Sequence, residues 1–234
     1  MLAGEIDVAV HSLKDVPTSL PPGLILVSYL ERADPRDALV ATKGATLRTL
    51  PAGARVGTTS LRRRAQLAVL RSDLALVDLR GNVDTRIRKL RDGQCEAIVL
   101  AMAGLERLAR MDEVSQVLDP ADMLPAPGQG VIAVECRAQD GAALHALAPL
   151  NHPPTAQAAL AERAFLAALG GGCNVPLGAY AEASGTELRL RAVVARPDGS
   201  SLVRGERRGS EPEDLGRAVA EEMISRGAGE LLRS

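Results

Sequence analysis

The chain has 234 residues, 46% of them apolar, enough to build the cores of one or two ordinary domains or three small ones. Its 28 basic and 29 acidic residues nearly cancel, which excludes a polyanion binder or a disordered acidic tail; with no Trp, one Phe and two Tyr it also lacks the stacking platforms of single-strand nucleic-acid binders. Three cysteines at unrelated positions argue against a disulfide framework or a metal site and fit a reducing cytoplasm, and no apolar run approaches the ~18 residues of a membrane span.

The N-terminus carries no basic segment followed by an apolar core, so it does not read as a targeting signal. Ile6, Val8 and Val10 alternate with Asp7 and Ala9, which predicts a strand over 5–10 ending in a polar loop, His11 to Pro17. Residues 1–4 resemble the tail of a helix, and nothing upstream supplies a partner for the strand. The expectation is a truncated or misannotated start, or a natural short form, with unpaired strand edges and an exposed apolar face.

Turn signals at Pro21-Pro22-Gly23 and Asp34-Pro35-Arg36 precede an alternation of strands over 37–41, 54–57, 74–79 and 96–100 with helices over 61–72, 83–92 and 102–110. That alternation implies a parallel or mixed sheet wrapped by helices. The run Pro125 to Gly130 reads as a hinge where the chain returns to another domain, followed by a strand over 131–135. From Pro153 the pattern becomes a small α+β domain: an Ala-rich helix over 155–169, strands near 177–183, 187–195 and 201–207, and a helix near 211–226.

Between Lys43 and Arg91 lie twelve basic residues and three acids, an excess of nine positive charges hidden by the neutral total. Gly57-Thr58-Thr59-Ser60-Leu61-Arg62-Arg63-Arg64 joins a strand end to a helix start with Ser60 as N-cap. Three arginines in a first turn oppose the helix dipole, a conflict that a bound carboxylate or phosphate would remove; a solvated arginine face is the plainer alternative. Leu79-Arg80-Gly81-Asn82-Val83-Asp84-Thr85-Arg86 repeats the arrangement, and two such sites on neighbouring strands form one crevice. Asp15 stands beside that crevice as either an ion-pair partner or a carboxylate that stabilises a developing cation or moves protons, with Lys14 and Ser12 as candidate contacts. Cys173 follows Gly170-Gly171-Gly172 and precedes Asn174-Val175-Pro176. The run suits either covalent attachment of a bulky group or a glycine helix stop beside a half-buried thiol.

Together the segments 11–17, 57–63, 79–86, 127–130, 162–165 and 171–176 occur in the order and with the residues that identify the chain as resembling the porphobilinogen deaminase family. The resemblance implies two hinged periplasmic-binding-protein-like α/β domains, the first incomplete (1–31 and 128–150) and the second bearing the arginine-rich crevice (32–127), plus a small α+β domain (151–234). It implies a cytoplasmic, monomeric transferase that joins four porphobilinogen units into 1-hydroxymethylbilane, releasing four ammonias, with no nucleic-acid or membrane partner and no metal. A dipyrromethane cofactor would be held by a thioether to Cys173. Asp15 would be catalytic; Lys14, Ser12, Thr58, Ser60, Arg62, Arg63 and Arg80 would bind the cofactor; Arg86 and Arg107 would bind substrate and the growing pyrrole chain.

The residue chemistry agrees with that implication. Each pyrrole unit carries two carboxylates, so a growing chain calls for an arginine-rich crevice. Each condensation passes through a cationic azafulvene, whose charge one carboxylate in a positive field would offset. The competing expectations are an inactive fragment and a non-enzymatic module that binds a carboxylate ligand through the same fold.

Overall fold

The structure is a computed structural model, and it describes residues 1–42, 44–170 and 175–232. Three sheets organise the described residues. The first has the order β1-β8-β2, built from β1 (Val8–Ser12), β2 (Leu24–Tyr29) and β8 (Ile132–Arg137), with both pairings antiparallel. The second joins β3 (Asp37–Ala41), β4 (Arg55–Gly57), β5 (Ala75–Val77), β6 (Ala97–Ala101) and β7 (Gln116–Val117) in the order β5-β4-β6-β3-β7. The third is an antiparallel meander of β9 (Leu177–Ser184), β10 (Glu187–Ala195) and β11 (Leu202–Gly209).

The second sheet is mixed: β4 runs parallel to β5 and β6, whereas β3 runs antiparallel to β6 and β7. Its central strands are buried on both faces, as the apolar runs Ala38-Leu39-Val40 and Ala97-Ile98-Val99-Leu100 require. Because side chains alternate, Leu39, Val56 and Val99 join Leu67 of α1 (Leu61–Leu70) on one face. Ala38, Val40, Ile98 and Leu100 join Ile87 of α2 (Val83–Arg91) and Leu105 of α3 (Met102–Arg107) on the other. The side chains of Ser60 and Asn82 cap α1 and α2, accepting from the amides of Arg63 and Thr85.

The chain crosses between the first two sheets twice, at residues 30–36 and 118–131, so two α/β lobes share a pair of crossing segments. The third sheet packs one face on α5 (Pro153–Ala168) and α6 (Pro212–Ser225), around Phe165, Leu190, Val219 and Met223. A four-residue helix, α7 (Ala228–Leu231), closes that domain.

The C-terminal domain grips both crossing segments through one buried carboxylate. Glu162 of α5, fully buried, accepts from Arg32 Nη1 at 2.6 Å and Nη2 at 3.2 Å, from the Gly128 amide at 2.6 Å and from the Ala181 amide at 2.8 Å. Arg32 also donates from Nε to Gln129 O and lies over the Tyr180 ring at 4.9 Å.

Sequence and structure differ at particular places. The first strand is shifted to Val8–Ser12 and includes His11 and Ser12, and Leu13–Asp15 form a 3-10 turn rather than an open loop. Residues 1–4 form a turn, not a helix tail. Ile6, Val8 and Val10 are 53%, 37% and 67% exposed, in accord with an apolar face left open beside an edge strand. β2, β7 and the helix α4 (Gly141–Leu147) were not foreseen.

Candidate active site

A cavity of about 410 Å³ lies where the two lobes and the C-terminal domain meet. Lys14 and Asp15 reach it from the turn after β1; Thr59, Ser60, Arg62 and Arg63 from the start of α1; and Arg86 from α2. The crossing segment contributes Gln129, and Leu166, Val175 and Leu177 line the side formed by the C-terminal domain.

Asp15 is delivered by a short turn anchored on both sides. Leu13 and Val16 are buried, the Leu13 amide donates to Val131 O, and the Val16 amide donates to Leu13 O. These anchors leave Lys14 and Asp15 at the cavity. Burial pushes the Lys14 amine below its usual pKa, and the Arg63 charge pushes the same way, so a carboxylate brought near would be stabilised there.

Arg62 and Arg63 are both buried, and each is first engaged by Asp37, the opening residue of β3. Arg62 Nη1 donates to Asp37 Oδ2 at 2.7 Å, and Arg63 Nη2 donates to Oδ1 at 2.7 Å. Arg62 also reaches Leu124 O at 2.6 Å, and Arg63 reaches Val99 O at 2.9 Å. Gln129 Nε2 donates to Asp37 Oδ1 at 2.9 Å and to Pro35 O at 2.7 Å. Burial alone would raise the Asp37 carboxyl, but the two guanidinium charges and their hydrogen bonds hold it well below the usual carboxylate range.

The repulsion at the head of α1 is therefore already relieved from within the fold: Asp37 balances Arg62 and Arg63, and Asp78 pairs with Arg64 at 3.0 Å. The expected need for an external anion was drawn from α1 alone and could not see Asp37. One donor is left over. Arg63 Nε is buried with no hydrogen-bond partner among the described residues. Arg86 has no carboxylate partner among the described residues; its Nε donates to Gly81 O, and burial followed by the Arg63 charge lowers its pKa.

Other sequence candidates stand elsewhere. Thr58 is fully buried and its hydroxyl accepts from the Ser60 amide, while its neighbour Thr59 lines the cavity. Ser12 ends β1 opposite Ile132, Arg80 is exposed, and Arg107 donates to Gly130 O; none of the three is in the cavity lining. Cys173 lies outside the described residues, as do Gly171, Gly172 and Asn174; α5 ends before them at Ala168, and Gly170 just beyond it has a φ of +66°, the left-handed conformation glycine adopts freely. Asp37, Gln129, Glu162 and Arg32 were not foreseen as site residues. The one available signal was an acid heading a fully apolar strand, which demands a buried partner.

The lining fits a dipyrromethane carrying several carboxylates: Lys14, Arg62, Arg63 and Arg86 face one acid, Asp15, and the buried Arg63 Nε lacks an acceptor. Comparisons with known proteins agree. Residues 1–145 match the family model described as porphobilinogen deaminase, dipyromethane cofactor binding domain, and residues 156–225 match porphobilinogen deaminase, C-terminal domain. The chain is 56% identical over 234 residues to the porphobilinogen deaminase of Roseiflexus sp. (strain RS-1), and equally so to that of Roseiflexus castenholzii (strain DSM 13941 / HLO8). Each alignment covers 99% of this chain and 77% of the relative. Among solved structures, a nutrient binding protein from Burkholderia cenocepacia bound to methionine superposes with a TM-score of 0.41 at 12% identity, over 62% of this chain and 70% of that one. With family models spanning both parts of its length and relatives identical at more than half their aligned positions, the chain belongs to the porphobilinogen deaminase family.

Proposed function

We propose that this chain carries out its family's reaction, the head-to-tail condensation of four porphobilinogen molecules to 1-hydroxymethylbilane with release of four ammonias, using Asp15 as the catalytic carboxylate. The observation that carries the assignment is the cavity itself, in which one exposed carboxylate stands among four cationic side chains, three of which, Lys14, Arg63 and Arg86, suit the carboxylates of pyrroles. The dipyrromethane cofactor, when bound, supplies a tethered primer that makes each coupling effectively intramolecular.

The residues divide the work. Arg63, through its spare Nε, and Arg86 hold acetate and propionate groups, and Lys14 adds a third cation at the same wall. Arg62 stays directed to Asp37 and Leu124 O, so its part is to fix the frame on which Arg63 sits. Asp15 offsets the positive charge that builds on the pyrrole nitrogen of the substrate as ammonia departs, an electrostatic contribution of several kcal/mol once bound substrate displaces water from the crevice. Leu166, Val175 and Leu177 exclude water along the remaining wall. On this reading Cys173 is the attachment point for the primer, whereas the binding roles expected of Ser12, Thr58, Arg80 and Arg107 draw no support from the cavity lining.

The reading divides the chain into 1–31 with 128–150, 32–127 and 151–234, working as a cytoplasmic monomer. No described helix is long and apolar enough to cross a membrane. The decisive experiment is single-turnover ammonia release from primer-loaded protein. Asp15→Asn, which keeps shape and deletes charge, is expected to retain primer and fold yet release ammonia on the order of a hundredfold more slowly. Wild-type rates in that variant would refute the assignment, and loss of the primer alone would make Asp15 a scaffold.

A further inference from the structure

The catalytic turn is held from the C-terminal domain by a residue outside the cavity. Arg163, half-buried on α5, donates from Nη1 to Val16 O at 3.2 Å and from Nη2 to Pro17 O at 2.7 Å and Thr18 O at 3.1 Å. Three consecutive carbonyls directly after Asp15 thus converge on one guanidinium. Burial lowers the pKa of Arg163, and among the described residues no carboxylate pairs with it, so its charge is satisfied by these carbonyl dipoles.

The other end of the turn is tied to the same helix. Glu162, the preceding residue, binds the Gly128 amide, and Gly128 packs against Leu13: a Cβ built there would lie 2.8 Å from Leu13 Cγ. Neighbouring residues of α5 therefore hold both flanks of Lys14-Asp15, Glu162 through Gly128 and Leu13, Arg163 through the carbonyls of 16–18. Ten residues beyond Arg163 in the chain stands Cys173.

We propose that Arg163 is a positioning residue for Asp15, fixing where the carboxylate stands relative to the C-terminal domain that carries the cofactor cysteine. The proposal rests on the reading of Asp15 as the catalytic carboxylate. A misplacement of about 1 Å at a reacting group can cost on the order of a hundredfold in rate, so a clamp on the backbone one to three residues away acts on kcat more than on substrate affinity.

The test is a double-variant cycle on primer-loaded protein, read by single-turnover ammonia release and by hydrogen exchange at the amides of 13–18. Arg163→Met is expected to lower kcat on the order of ten- to a hundredfold with KM nearly unchanged, and to speed exchange at the Val16 amide. Arg163→Lys should lose less, since an ammonium still reaches part of the carbonyl cluster. In an Asp15→Asn background the same change at Arg163 should alter the rate by less than about twofold, because the group it positions is gone. Losses that multiply in the double variant, or wild-type kcat and exchange in Arg163→Met, would overturn the proposal. If Arg163→Met fails to fold or load primer, the cycle with Arg163→Lys decides by the same criterion. A wild-type rate in Asp15→Asn would instead remove the reading of Asp15 beneath it.

Discussion

Replacing Glu162 by Gln tests whether one buried carboxylate joins the three parts of the molecule. The native side chain is fully buried and accepts four N–H donors, two from Arg32, whose side chain is only 11% exposed, and two from the backbone at Gly128 and Ala181. Glutamine keeps the shape but offers one acceptor oxygen, turns an NH2 toward groups that are themselves donors, and leaves the Arg32 charge without its counter-ion. Breaking a buried pair from one side costs about 3–5 kcal/mol. For a chain of this size each kcal/mol moves the melting temperature by roughly 2–4 °C, so a fall of about 6–20 °C is expected in a circular-dichroism melt near neutral pH. Glu213→Gln supplies the control, since its contact with Arg217 is at the surface and contributes at most about 1 kcal/mol. A Glu162→Gln melt indistinguishable from that control would refute the clamp.

Three further outcomes follow from the same geometry. Asp37 has a folded-state pKa below its unfolded value near 3.9, so its contribution is complete above that value and lost as pH falls through the folded pKa; wild type should lose stability more steeply below about pH 4 than Asp37→Asn, and parallel acid denaturation curves would contradict this. Gly128→Ala combines a φ of +74° with a Cβ 2.8 Å from Leu13 Cγ, so it should destabilise by about 1–3 kcal/mol and lower ammonia release by displacing the turn before Asp15; an unchanged melt and rate would refute the contact. Cys173→Ser should lack the pyrrole chromophore revealed by aldehyde reagent in acid, whereas Cys95→Ser and Cys136→Ser, at buried thiols whose pKa burial raises, should keep it; normal primer in Cys173→Ser would defeat the attachment assignment.

Periodicity made the third sheet and most of the second legible, because their strands are bounded by turn residues, and α1 and α2 by true caps, Ser60 and Asn82. β2 escaped because Leu24-Ile25-Leu26-Val27 is an unbroken apolar run with no alternation, and β7 because two residues carry no period. The basic first turn of α1 was equally legible as chemistry, but not its partner. Asp37 lies 25 positions before Arg62, on another strand, and only the packing of β3 against α1 brings its two oxygens to two guanidiniums. Gln129 was read as part of a hinge; that its amide reaches Asp37 depends on the return path of the crossing segment. Local sequence announces where charge is placed, whereas the groups that neutralise it come from tertiary structure.

That neutralisation explains how the crevice can be strongly basic and still fold before any ligand arrives. With three adjacent arginines at a positive helix terminus, a site balanced only by its ligand would have to assemble against its own repulsion. Asp37 divides its two oxygens between Arg62 and Arg63, fixing both guanidinium planes; Gln129 donates a further hydrogen bond to Asp37, and the carbonyls of Leu124 and Val99 accept from Arg62 and Arg63. On the proposed function, the donors left to meet the ligand are fixed in place: Arg63 Nε, which has no acceptor among the described residues, and Arg86, which has no carboxylate partner among them. Donors held this way would lose little freedom on binding carboxylates, so under the proposed function each contact would contribute more of its electrostatic energy to holding the primer and less to ordering the site. The same frame links Asp37 through Gln129 to the crossing segment that Glu162 grips, which joins the arginine-lined wall of the cavity to the clamp of the C-terminal domain in one continuous network.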